Sequence, residues 1–290
     1  MRTLALILLL AVPGVAERRI AITFDDVPCA GPRPTLAQAE DVTNRILEAL
    51  AAYKVLAVGF VNEARLQVPG ERDRRVALLE RWIAAGHLLG NHTYSHADLD
   101  KVTIEEYQDE IVRGEVVTRA LQPESRRYFR YPYTHTGATP ERKGAISRFL
   151  SARGYTSAPF TIENEDYLFE AAWAADPAKV EATYDSYTDE VVAFAEKVSR
   201  DLFGRDIPQV LLLHANQVNS MRLSAMLSRL RARGYTFVTL EEALHDPAYA
   251  TRDDYVGPFG PSWLHRWGAA LGKPKPMRGS PEPPAWLHPQ

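Results

Sequence analysis

Two aspartates stand side by side in Thr23-Phe24-Asp25-Asp26. Adjacent carboxylates repel unless a cation or a proton relieves them. Read alone, such a pair is a turn or a helix cap. Further along, His92-Thr93-Tyr94-Ser95-His96 carries two imidazoles four residues apart. These lie on one face if the backbone turns helically, and both can then grip one ion. Read alone, they are a surface coincidence. Joined by a carboxylate from another segment, they supply two imidazoles and one carboxylate, with a coordination position left for water. That is the composition of a catalytic metal site.

Three further segments carry polar groups at the ends of apolar runs. Arg130-Tyr131-Pro132-Tyr133 ends a β-rich run at a proline, which stops a ladder. In isolation Arg130 is equally a surface arginine in a turn. Val210-Leu211-Leu212-Leu213-His214 sets a histidine at the carboxyl end of an apolar strand, a good place for a proton donor. A satisfied structural histidine is the plainer reading of it. Glu163, Glu165 and Asp166 follow another β-rich run, and any of them could orient a cation or an imidazole. Cys29, the only cysteine, has no evident activating base beside it and reads as a small buried hydrophobe.

The elements that must position these groups alternate in type. β-rich runs at 20–24, 56–61, 87–91, 128–131, 155–160, 210–214 and 235–240 are separated by helical periods. Val42, Ile46, Ala49 and Tyr53 follow such a period, as do Leu223, Met226, Leu227 and Leu230, and Val191, Ala195, Val198 and Leu202. Gly86, Gly154 and Gly234 each precede a β-rich run, where a left-handed glycine would end a helix. Alternation of this kind predicts a parallel sheet with helical crossovers, closed as a barrel or open. Reactive groups then belong at the carboxyl ends of the strands. The candidate residues fall there.

Composition sets outer bounds. With 46% hydrophobic and 24% charged residues, the 290-residue chain is an ordinary globular protein able to bury a sizeable core. Its formal charge of -3 gives no electrostatic case for nucleic acid or an anionic membrane as partner. Residues 1–16 combine Arg2, an apolar run too short to span a bilayer, and small residues near a cleavage position. They read as a signal peptide, so the mature chain is expected in the periplasm or outside the cell, without stable membrane insertion. Residues 17–250 form the expected catalytic domain, and 251–290 a Pro/Trp-rich extension packed on it. From Gly272 onward the prolines predict extended chain, pinned by Trp263, Trp267 and Trp286.

Taken jointly, these segments resemble the five motifs of the NodB-homology polysaccharide deacetylases, carbohydrate esterase family four. Thr23-Phe24-Asp25-Asp26 resembles the first motif, His92-Thr93-Tyr94-Ser95-His96 the second, Arg130-Tyr131-Pro132-Tyr133 the third, and Leu211-Leu212-Leu213-His214 the last. The resemblance covers approximately residues 20–244 and implies an α/β fold, a distorted (β/α)7 barrel in a single domain. The fourth motif departs: Asp166 is followed by Tyr167, where the family commonly has a tryptophan that walls the site. Thr134 also stands where a glycine often follows the third motif.

The resemblance implies one divalent metal, zinc or in its place cobalt, nickel or iron, on Asp26, His92 and His96. It implies that this ion polarises the acetamide carbonyl and acidifies water. Asp25 would be the base, oriented by Arg130; the Tyr133 backbone N–H would meet the oxyanion; and His214, held by Asp166, would protonate the leaving amine. Tyr167 would line the substrate site. The substrate implied is an N-acetylated glycan: peptidoglycan, a chitin-like oligomer or an exopolysaccharide. Two other readings compete, a hydrolase of small cyclic amides or imides on the same fold, and a non-catalytic carbohydrate-binding module.

Overall fold

The computed structural model describes residues 17–287; the expected signal peptide, 1–16, lies outside the described residues. Eight strands are present among them: β1 (Arg18–Val27), β2 (Val58–Val61), β3 (Leu88–Asn91), β4 (Arg127–Phe129), β5 (Tyr155–Ser157), β6 (Ile162–Glu163), β7 (Gln209–His214) and β8 (Tyr235–Phe237). Their order is β5-β4-β3-β2-β1-β7-β6, with β8 joined to the start of β1. Every ladder is parallel. Among the described residues no ladder joins β5 to β6, so the result is a distorted, open (β/α)7-type barrel in a single domain.

The seven strands on the main path are not the seven runs read from the sequence. β6 went unread because two residues carry no detectable period, while β8 pairs only with Arg18–Ile20 and lies off the path. The expected run at 155–160 is a strand only at Tyr155–Ser157, and that at 235–240 only at Tyr235–Phe237. Conversely, β1 continues through both aspartates to Val27 instead of ending before them.

Crossover helices form where the apolar periods lie. Leu36–Tyr53 starts at Thr35, whose side chain accepts from the Gln38 N–H in a capping box, and buries Val42, Ile46 and Ala49. Gln217–Ala232 buries Leu223, Met226, Leu227 and Leu230, and Pro177–Phe203 buries Ala195, Val198 and Leu202. Gly86, Gly154 and Gly234 take φ of 86°, 76° and 88°, the left-handed stops expected of them.

Strand parity sorts the core into two layers. Ile20, Ile22 and Phe24 of β1 and Leu211 and Leu213 of β7 pack against the helices. Ala21 of β1, Val58 and Phe60 of β2, Tyr128 of β4, and Val210 and Leu212 of β7 fill the barrel interior. By the same alternation Thr23 and Asp25 continue the inner face toward the carboxyl mouth.

After β8 the chain packs back on the barrel. Trp263 and Trp267 lie on the helix Trp263–Ala270, Trp267 against Tyr249 and Phe203 at ring distances of 5.2 and 5.7 Å. Trp286 meets Phe169 at 6.4 Å from within a short 3-10 turn, Ala285–Leu287, so the tail is not extended throughout.

Candidate active site

The carboxyl ends of β1, β3, β4 and β7 converge on one cavity of about 640 Å³, a size suited to a sugar-sized ligand. Asp25, Asp26, His92, His96, Tyr133, Glu163, Tyr167 and His214 line it.

In a regular strand Asp25 and Asp26 would face opposite sides of the sheet. Here the β1–β2 register shifts between Phe24 and Val27, and Asp26 takes φ 64°. The irregularity turns both carboxylates to the mouth. Asp25 stays in the inner row, opposite His214 in the β1–β7 ladder. Arg130, directly after β4, donates from Nη1 to Asp25 Oδ1 at 3.2 Å and to Thr23 Oγ1 at 3.0 Å. Its other guanidinium N–H groups reach the carbonyls of Ala158 and Pro159. Burial pushes the Asp25 pKa up, with Arg130 acting against the rise.

Asp26, His92 and His96 each offer a ligand atom within 4.8 Å of the others. The two histidines do not meet through a helical turn. Residues 92–96 form an irregular loop in which Thr93 and His96 take φ of 62° and 65°. Asn62 secures its start by donating to the His92 carbonyl at 2.6 Å, and Glu110 Oε2 accepts from the Ser95 N–H at 2.6 Å. Strained left-handed residues of this kind persist only where surrounding contacts over-determine them.

The donor chemistry fits a divalent cation. His92 Nδ1 lies 2.8 Å from the Arg130 carbonyl oxygen, so this nitrogen carries the proton and Nε2 keeps its lone pair. Burial holds the pKa of His92 and of His96 down at about 4, so both rings are neutral near pH 7. Burial would raise Asp26, but Arg65 and the two histidines outweigh it and set its pKa at about 2. Asp26 Oδ1 is buried without a hydrogen-bond partner and lies 3.8 Å from His96 Nε2. Two lone-pair atoms at that separation are too far apart to bond each other and close enough to share an ion.

On the opposite wall, His214 Nδ1 lies 2.6 Å from Asp166 Oδ1. Burial opposes charge on this ring, but the Asp166 carboxylate prevails and raises its pKa to about 10. Asp166 does not follow a strand directly; it opens the helix Asp166–Trp173, and Asn219 donates to it from the next crossover helix. Tyr133 and Tyr167 flank the mouth, 54% and 49% exposed, with rings 4.6 Å from His96 and 6.2 Å from His214. Cys29 is buried, its thiol pushed up to about 12, and it is no nucleophile.

Several contributors carry no sequence signal. Arg65, 3.5 Å from Asp26, and the buried Asn62 and Asn219 belong to no motif. His135, whose Nδ1 is 2.9 Å from Asp98, lines the cavity beside Tyr133. Gly260, from far along the chain, lines it too.

A parallel barrel with such a donor cluster between an arginine-bonded aspartate and an aspartate-bonded histidine has the architecture of a hydrolase site. The polysaccharide deacetylase family model matches residues 13–146. A peptidoglycan-N-acetylglucosamine deacetylase of Bacillus cereus is 25% identical over 77% of this chain and 67% of its own length. A chitin deacetylase of Colletotrichum lindemuthianum is 24% identical over 78% of this chain and 79% of its own. A Listeria monocytogenes peptidoglycan-N-acetylglucosamine deacetylase matches at 25% identity, but the chain spans only 39% of its length. The solved Colletotrichum chitin deacetylase superposes with a TM-score of 0.56 at 23% identity, covering 79% of this chain and 88% of that one. A CE4 family pseudoenzyme from Bacillus anthracis superposes equally well, with a TM-score of 0.56 at 15% identity over 79% of this chain and 66% of that one. These likenesses support a place for the chain in the NodB-homology polysaccharide deacetylase family.

Proposed function

We propose that the protein hydrolyses the N-acetyl group of amino sugars in a polysaccharide, releasing acetate and a free amine. Because the family includes a pseudoenzyme, the fold alone does not carry this reading. One observation does: Asp26, His92 and His96 lie within 4.8 Å of one another, in a single cavity with Arg130-bonded Asp25 and Asp166-bonded His214.

A divalent ion on Asp26, His92 and His96, zinc first and cobalt, nickel or iron as substitutes, would supply Lewis acidity at the amide oxygen and the attacking water. Asp25 takes the proton from that water, and Arg130 aims its carboxylate and favours the ionised form. The Tyr133 backbone N–H donates to the oxygen as negative charge develops on it. His214, protonated through Asp166, gives its proton to the amine nitrogen as the C–N bond breaks. Tyr133 and Tyr167 supply aromatic walls for a sugar ring.

The relatives named as peptidoglycan and chitin deacetylases favour a glycan over a small cyclic amide. Such polymers lie outside the membrane, which accords with residues 1–16 as an export signal. No helix among the described residues is long and apolar enough to cross a membrane. Residues 17–250 serve as the catalytic unit, with the segment from 251 to 287 packed on it.

The test is acetate release by the purified, zinc-loaded protein from peptidoglycan, chitin oligomers and exopolysaccharide glucosamine, beside ring opening of cyclic imides. Acetate from at least one glycan is expected. Ring opening without acetate release would replace this reading with the small-amide one.

A further inference from the structure

The loop that carries Tyr133 is held in an unfavourable shape. Tyr133 and Thr134 take φ of 55° and 53° in succession. For a β-branched threonine this region is a genuine outlier, of order 1–3 kcal/mol above its preferred states. Some contact must therefore hold it.

The contacts come from the segment after β8. Thr134 Oγ1 donates to the Gly260 carbonyl at 2.5 Å. Arg266 donates from Nη2 to the Thr134 carbonyl at 2.8 Å and from Nη1 to Thr136 Oγ1 at 2.7 Å. Its Nε–H goes to the Pro261 carbonyl at 2.8 Å, so one planar fork ties both chain segments together. Arg266 is 1% exposed, with its guanidinium 4.2 Å from the Trp263 ring centroid. A methyl group on Gly260 would collide with Thr134 Oγ1 and the Tyr133 carbonyl oxygen. Gly260 lines the cavity alongside Tyr133, Thr134 and His135.

We infer that the Gly260–Arg266 segment is a working part of the catalytic pocket: it clamps the 133–136 loop in its strained conformation, and Arg266 is a positioning residue for the Tyr133 backbone. The catalytic consequence rests on the proposed role of the Tyr133 N–H; the clamping does not. A donor displaced by about 1 Å from a developing charge costs up to roughly 100-fold in rate.

The test uses the full-length, zinc-loaded protein and the variants Arg266→Met, Arg266→Lys, Gly260→Ala and Thr136→Val. Hydrogen exchange of the peptide spanning residues 131–137 is followed by mass spectrometry, and kcat, KM and zinc content are measured in parallel. Arg266→Met and Gly260→Ala are expected to speed exchange there about tenfold or more, with the β1 peptide unchanged. The same variants should lower kcat by roughly 10–100-fold at full zinc content, with KM changing far less. Arg266→Lys, which keeps the charge and loses the fork, should fall in between. Thr136→Val removes a single bond and serves if the larger changes prevent folding. Unchanged exchange at 131–137 overturns the clamp, and a loosened loop with undiminished kcat overturns the positioning role of Arg266. Absence of acetate release by the wild-type protein would count against the proposed function, while the exchange measurement still decides the clamp.

Discussion

Asp166 grips His214 at two points: one carboxylate oxygen lies 2.6 Å from ring Nδ1, and the other accepts the His214 backbone N–H at 2.7 Å. The ring is thereby fixed in tautomer and direction, and Nε2 is the nitrogen left for substrate.

That pairing sets a pH dependence. His214 must be protonated to act as an acid, so activity falls as pH rises through its pKa, which Asp166 lifts to about 10. Asp166→Asn removes the stabilising charge and lowers the pKa. The alkaline limb of the kcat profile should then move to lower pH by at least about one unit, so that the variant's deficit grows as pH rises through the shifted limb. An alkaline limb that stays in place would remove His214 from the acid role.

Asp25 and Asp26 are neighbours with separate tasks. Asp25→Asn should retain the metal and lose turnover by about 100- to 10,000-fold, the worth of a positioned base. Elemental analysis beside acetate release checks this. Metal loss in that variant would contradict the division of labour.

His96 approaches Asp26 Oδ1, an atom with no hydrogen-bond partner of its own. His96→Ala should weaken zinc binding by more than the ~10–100-fold that loss of an outer-shell partner costs. Competition against a chromophoric chelator measures it, and wild-type affinity would strike His96 from the ligand set.

Arg130 is 1% exposed and bonded to an equally enclosed Asp25. Arg130→Met would leave that carboxylate buried without its counter-charge, which typically costs about 3–5 kcal/mol. Denaturant unfolding of the metal-free variant should show a loss of this size. A loss under about 1 kcal/mol would mean that Asp25 is neutral in the folded apo-protein.

Much of this site was legible in the chain itself. Asp25, Asp26, His92, His96, Arg130 and His214 are unusual for their position, polar groups of the right types at the ends of apolar β-rich runs. The parallel-sheet rule sends such ends to one mouth, so strand order was not needed to group them. Likewise the 3.6-residue period and the left-handed glycines marked the crossover helices, because these are local properties of the backbone.

Other features depended on the assembled structure. The histidine pair converges through left-handed Thr93 and His96, and the two aspartates through left-handed Asp26 at a register shift. No local preference selects these conformations; they exist because buried contacts from elsewhere outweigh their strain. β6 is two residues long and stable only as a partner of β7. Asn62 and Asn219 find their partners across elements, and Gly260 and Arg266 reach the Tyr133 loop from 126 and 132 residues away. Residue types and periodicity are written along one dimension, whereas close approach between distant backbones arises only once the barrel has assembled around them.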